Sequence, residues 1–147
     1  MSKYTRILYH IIFSTKYRNR TLTTSKRDVL YDYIFGVLKN KGCYGFCIGG
    51  VEDHIHLLSD LKTDVSLSEL IKDIKISTSS FIKENNLFEN FDGWQDGYAA
   101  FTYSINEKEN VINYIKNQEE HHKTKSFKDE LIDFLKKFEI KYDEKYL

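Results

Sequence analysis

The 147-residue chain reads as a single α+β domain of ferredoxin-like plan, β-α-β-β-α-β, whose four-stranded antiparallel sheet is followed by two further helices. Three observations predict it. An early run is dense in β-branched and aromatic residues, two short apolar runs are joined by a polar dipeptide, and the stretches between the extended runs carry helical periodicity with start and stop signals. The sheet core is expected over about 4–104, a late helix over about 107–121 and a last helix over about 126–139, all within one domain spanning 1–147.

Tyr4 to Thr15, including Ile7, Ile11, Ile12 and Phe13, favours an extended chain and supplies the first strand. Thr24 or Ser25 is placed to cap a helix over about 25–40, in which Val29, Tyr33, Ile34, Val37 and Leu38 recur near helical spacing. Lys41-Gly42 closes it, with glycine just beyond a basic last turn. Residues 44–51 and 54–61, joined by Glu52-Asp53, predict an antiparallel hairpin. Ser66 and Glu69 match a capping box ahead of Leu67, Leu70, Ile71 and Ile74, which face one side of a second helix. A loop around 85–93 leads into a fourth strand over 94–104.

Composition narrows the function. No apolar run approaches the roughly 20 residues of a membrane-spanning helix, and Met1-Ser2-Lys3-Tyr4 has no apolar signal core, so a cytoplasmic protein without a membrane partner is expected. Cys43 and Cys47 have three residues between them and no second pair, which suits small buried side chains rather than a metal knuckle. Twenty-two basic residues balance 22 acidic ones. Residues 1–41 nevertheless carry nine Lys and Arg against Asp28 and Asp32, a local charge of +7. Residues 89–120 carry −5. A local basic field can hold phosphates at a Debye length of about 8 Å, although a solvated basic face gives the same pattern.

His54-Ile55-His56 is the sharpest local feature. On a strand the two imidazoles project to one face while Ile55 faces the other, and converging imidazoles form half of a transition-metal site. Hydrogen-bonded sheet histidines share the pattern. On the penultimate helix Tyr114 and Gln118 stand one turn apart, in the polar company of Asn113, Lys116 and Asn117. Together these parts suit phosphodiester cleavage. A phenol near pKa 10 is a poor nucleophile, and a divalent ion held by two imidazoles and an amide oxygen would polarise the phosphate it attacks. A phosphotyrosine conserves the bond energy for rejoining.

The chain resembles the HUH-type single-tyrosine transposases of small bacterial insertion sequences, the IS200-like transposases, which move as single-stranded DNA. The resemblance runs from about Tyr9 to Tyr146 and rests on four motifs in order: His10 to Arg18, Asp53-His54-Ile55-His56-Leu57-Leu58, Trp94-Gln95-Asp96-Gly97-Tyr98, and Tyr114 to His122. It departs from the family's pattern at Ala99, where glycine is more usual. The resemblance implies that Tyr114 is the nucleophile and that His54, His56 and Gln118 are the protein's ligands to Mg2+ or Mn2+. It implies a substrate of single-stranded DNA with hairpin ends, cut to a 5′-phosphotyrosine and a free 3′-hydroxyl. It also implies a homodimer in which the tyrosine helix of one subunit can complete the site of the other.

Lys16, Arg18 and Arg20 are then candidates for phosphate contacts, and Tyr17 or Trp94 for stacking on a base, with a core position equally open for Trp94. His121 and His122 are expected to form a solvated helix end, with contacts that support the site as the alternative. Two rivals remain: a non-catalytic single-stranded nucleic-acid-binding module of the same fold, and a domesticated HUH nuclease. A structural zinc protein would need a further strong ligand, which the sequence does not display.

Overall fold

A computed structural model describes all residues, Met1–Leu147. Four strands, β1 (Leu8–Ser14), β2 (Tyr44–Gly50), β3 (His54–Asp60) and β4 (Ala99–Tyr103), form one antiparallel sheet in the order β2-β3-β1-β4. Helices α1 (Thr24–Asn40) and α2 (Leu67–Glu84) make the two crossovers. Helices α3 (Lys108–Lys116), α4 (Gln118–His121) and α5 (Phe127–Lys137) follow the sheet. The expected α+β class and β-α-β-β-α-β order are both present.

Strand alternation divides the core in two. On one face Ile11, Phe13, Ile55 and Leu57 pack against Leu30, Ile34 and Leu38 of α1 and Leu70, Ile71 and Ile74 of α2. On the other, Leu58 and Cys47 meet Val111 and Ile115 of α3. Further along that face Ile12 and Phe101 meet Phe127, Phe134 and Leu135 of α5. Both sides of β1 and β3 are therefore buried, and His10, His54 and His56, in register with Leu8, Ile12 and Leu58, lie on the α3/α5 side with no exposed surface. Cys43 and Cys47 are buried and unpaired, as their spacing predicts, and burial pushes the Cys47 thiol up to about 11.

Ser66 Oγ accepts the Glu69 N–H at 3.3 Å, the expected cap, and Ser126 does the same for Asp129 at 3.1 Å on α5. Gly42, with φ of 74°, turns the chain out of α1. The N-cap of α1 is Thr23 rather than Thr24 or Ser25, and its side chain makes no capping bond. The fourth strand is shorter than predicted. Gly93 and Gly97 adopt φ of 113° and 88°, so Trp94 makes only an isolated bridge to Thr15. The Trp94 side chain belongs to the core, edge-on to Phe13 at 5.0 Å and donating its indole N–H to Thr78 Oγ1 at 2.9 Å. It is not free to stack on a base.

The single helix expected over 107–121 is broken. A 3-10 turn (Ile105–Glu107) precedes α3, and Asn117, at φ −95° and ψ 20°, separates α3 from α4. Gly49 sets the height of α3 above the sheet. A Cβ on it would stand 2.2 Å from the Ile115 carbonyl oxygen, so the helix backbone rests directly on β2.

Candidate active site

His54 and His56 project from β3 toward α3 and α5, the common face that strand alternation demands. His54 donates its Nδ1–H to Asp53 Oδ1 at 2.7 Å, and Nδ1 of His56 lies 2.7 Å from Nε2 of His10. Both Nε2 atoms therefore point away from the sheet. Gln118 Oε1 is 3.1 Å from Nε2 of His54, one turn beyond Tyr114, as predicted.

Glu130, which the sequence did not single out, and the two histidines that end the tyrosine's helical stretch complete the cluster. Glu130, on α5, is 1% exposed and places Oε1 3.3, 3.1 and 3.2 Å from Nε2 of His54, His56 and His122. Its Oε2 accepts the Tyr114 hydroxyl and, at 3.2 Å, the Gln118 amide. His121 and His122 are not a solvated helix end. The turn at Asn117 swings α4 over the sheet, so Nε2 of His121 lies 3.1 Å from the Tyr114 hydroxyl while His122 turns its ring onto His54, 4.6 Å between centroids. Glu130 had a sequence signal. It interrupts the apolar stripe Phe127, Leu131, Phe134 and Leu135, a position where a carboxylate persists only with partners.

The electrostatics follow from burial and pairing. Burial pushes the Glu130 carboxyl up, but hydrogen bonds from His122, His54 and His56 outweigh it and hold the group far below the usual carboxylate range. Burial lowers His56 to about 4 and His10 well below the ordinary imidazole value. His54 goes the other way, because Asp53 and Glu130 outweigh its desolvation. Burial, and then the Glu130 carboxylate, raise the Tyr114 phenol. In the absence of a cation the phenol thus holds its proton firmly.

Donor atoms of His54, His56, His122 and Glu130 all lie within 4.8 Å of one another. Three imidazole nitrogens and one carboxylate are chemically suited to a divalent transition ion. They supply the further strong ligands that the zinc alternative lacked in the sequence.

The basic candidates fall in different settings. Lys16 and Arg18 lie in a 3-10 turn (Lys16–Arg18) after β1. The Arg18 guanidinium sits 4.9 Å over the Phe127 ring, which in turn stacks on His54 at 4.2 Å. Arg20 is paired with Glu52 at 3.0 Å. Exposed Tyr17 and half-buried Arg18, with Ala99, Phe127, Leu131 and Tyr146, line a cleft of about 660 Å³ beside the cluster.

Similarity to known proteins gives the four-stranded sheet and its histidine–tyrosine cluster a family. The chain belongs to the family described as "Transposase IS200 like", whose profile matches residues 3–118. It is 26% identical over 115 residues to the ISDra2 transposase TnpA of Deinococcus radiodurans, covering 75% of this chain and 82% of that one. Among solved structures it is similar to a candidate transposase from Deinococcus radiodurans R1, with 25% identity, a TM-score of 0.58, and 80% and 98% of the two chains covered. A REP-associated tyrosine transposase bound to a REP hairpin shares the fold, with 20% identity, a TM-score of 0.56, and 78% and 70% covered. No helix is long and apolar enough to cross a membrane.

Proposed function

We propose that this transposase cleaves and rejoins single-stranded DNA at the hairpin-bearing ends of an insertion sequence, with Tyr114 as nucleophile and His54, His56 and Gln118 as ligands to Mg2+ or Mn2+. One observation carries the reading: the only tyrosine hydroxyl at the histidine pair, that of Tyr114, meets it through a shared buried carboxylate within one chain.

The Tyr114 oxygen forms the new bond to phosphorus, and the 3′-oxygen leaves and takes up a proton, giving a 5′-phosphotyrosine and a free 3′-hydroxyl. A bound divalent ion would polarise the phosphate and ease ionisation of the phenol. Glu130 Oε2 holds the phenolic proton and, with the Gln118 amide against that same oxygen, fixes the direction of the Tyr114 hydroxyl. The aromatic floor of Phe127 and Phe134 keeps water from the cluster. Arg18, on Phe127 at the cleft, and Lys16, two residues before it in the same turn, would grip backbone phosphates, while Arg20 first has to leave Glu52. Tyr17, 74% exposed, offers a face to an unpaired base. In a homodimer, exchange of α3 between subunits would rebuild the same constellation.

The test is incubation of labelled single-stranded element ends with Mn2+ or Mg2+ and either the wild-type protein or Tyr114→Phe. The wild type is expected to form a covalent protein–DNA adduct and the variant none. An adduct of equal yield on the variant removes Tyr114 from this role, and DNA binding without any adduct on the wild type favours the non-catalytic module.

A further inference from the structure

The geometry points to His122 and Glu130 as metal ligands, completing with His54, His56 and Gln118 a shell of five protein donors that takes a manganese-like transition ion in preference to magnesium. The inference rests on the reading of His54 and His56 as ligands. It extends that reading to a helix, α5, that lies wholly beyond the matched residues 3–118.

Two independent observations support it. The first is the spacing of the donors. Glu130 Oε1 lies 3.1–3.3 Å from three imidazole nitrogens, and Gln118 Oε1 lies 3.1 Å from His54 Nε2 and 2.9 Å from His122 Nε2. Neighbouring donors held about 2.1 Å from one ion stand about 3.0 Å apart in an octahedral arrangement, so these contacts have the spacing of a coordination shell. The second is the orientation of the rings. Each of the three imidazoles has its Nδ1 anchored at 2.7 Å, on Asp53 Oδ1 for His54, on His10 Nε2 for His56 and on the Lys125 carbonyl for His122. The Asp53 carboxylate and the Lys125 carbonyl can only accept, so they fix for His54 and His122 the tautomer that leaves Nε2 free for a metal, while His10 fixes the direction of the His56 ring. His122, just beyond the matched residues 3–118, is held by an acceptor oxygen at Nδ1 as His54 is.

The donor set decides the ion. Magnesium prefers oxygen ligands and retained water, whereas three imidazoles with one carboxylate and one amide oxygen suit manganese and its transition-metal neighbours. Glu130 also neutralises one of the ion's two charges inside a site where an uncompensated dication would be costly.

The test uses the full chain with DNA absent. Binding of Mn2+ and Mg2+ is followed by calorimetry and by loss of the free Mn2+ electron paramagnetic resonance signal, for the wild type, Glu130→Gln, His122→Ala and His54→Ala, with circular dichroism to verify folding. One Mn2+ per chain is expected, bound at least about tenfold more tightly than Mg2+, with Glu130→Gln and His122→Ala each weakening it by about tenfold or more. Electron spin-echo modulation of Mn2+ bound to the wild type should count three histidine nitrogens, a readout that needs no variant. Two nitrogens, or Mn2+ affinity unchanged in Glu130→Gln and His122→Ala while His54→Ala abolishes it, overturns the five-donor shell and leaves the histidine pair standing. Affinity unchanged in His54→Ala overturns the underlying reading as well.

Discussion

Replacing Gly49 by alanine tests whether the seat of α3 governs the chemistry. Gly49 pairs with His56 across β2 and β3, and its missing Cβ lets the backbone of Ile115, the residue after Tyr114, rest on the strand. The added methyl would stand 2.2 Å from the Ile115 carbonyl oxygen, where ordinary contact begins at 3.4 Å. Because the obstacle is backbone, no side-chain rotation relieves it, and α3 has to rise by about 1 Å, with an overpacking cost of about 1–3 kcal/mol. For a chain of this size that lowers the melting temperature by roughly 3 °C per kcal/mol.

The same displacement carries Tyr114 away from the imidazoles, and misplacing a reacting group by about 1 Å can cost on the order of 100-fold in rate. Gly36→Ala is the matched control. It lies inside α1 with nothing within 4 Å of the added carbon, so it should stabilise by about 0.5–1 kcal/mol and leave the rate alone. Urea unfolding and single-turnover adduct formation report the two quantities. A Gly49→Ala protein with wild-type stability and wild-type adduct rate would refute the reasoning.

Two further outcomes are expected. Thr78→Val keeps the shape of the side chain but strands the Trp94 indole N–H inside the core, and should cost about 1–3 kcal/mol in urea unfolding; a loss under about 0.5 kcal/mol would mean the bond is not made. In chelator, stability should fall as pH drops from about 6.5 toward 4. Over that window the unfolded chain binds protons at His10 and His56, which the folded chain keeps neutral, and His56 alone, lowered to about 4, accounts for about 3 kcal/mol. His54, whose pKa is raised, contributes with the opposite sign: its stabilisation is complete below about 6.5 and is lost as pH rises through its folded value. A urea midpoint that stays flat between pH 7 and 4 would contradict this balance.

The parts of the molecule that were legible in the sequence are those governed by local period and local chemistry. The hairpin around Glu52-Asp53, the Ser66 cap, the glycine stop at Gly42 and the common face of His54 and His56 each follow from a few neighbouring residues. The Tyr114–Gln118 spacing survived although the helix carrying them is broken at Asn117, because the break falls after the tyrosine and the next turn restarts at the glutamine. What escaped depends on contacts between distant segments. The burial of His122 comes from the packing of α4 and α5 on the sheet, and the role of Glu130 needs three imidazoles that lie up to 76 residues away in the sequence. Trp94 was ambiguous because a lone tryptophan near a strand is equally suited to a core and to a base, and only the Thr78 hydroxyl, 16 residues away, decides it.

The family profile matches residues 3–118, and the cluster draws His122 and Glu130 from the stretch that follows. A chain trimmed to residues 3–118 would retain Tyr114 and the histidine pair while losing the carboxylate between them. If the five-donor shell holds, exchanging this tail for that of a relative would alter which ion is held while leaving the Tyr114 hydroxyl on its own helix.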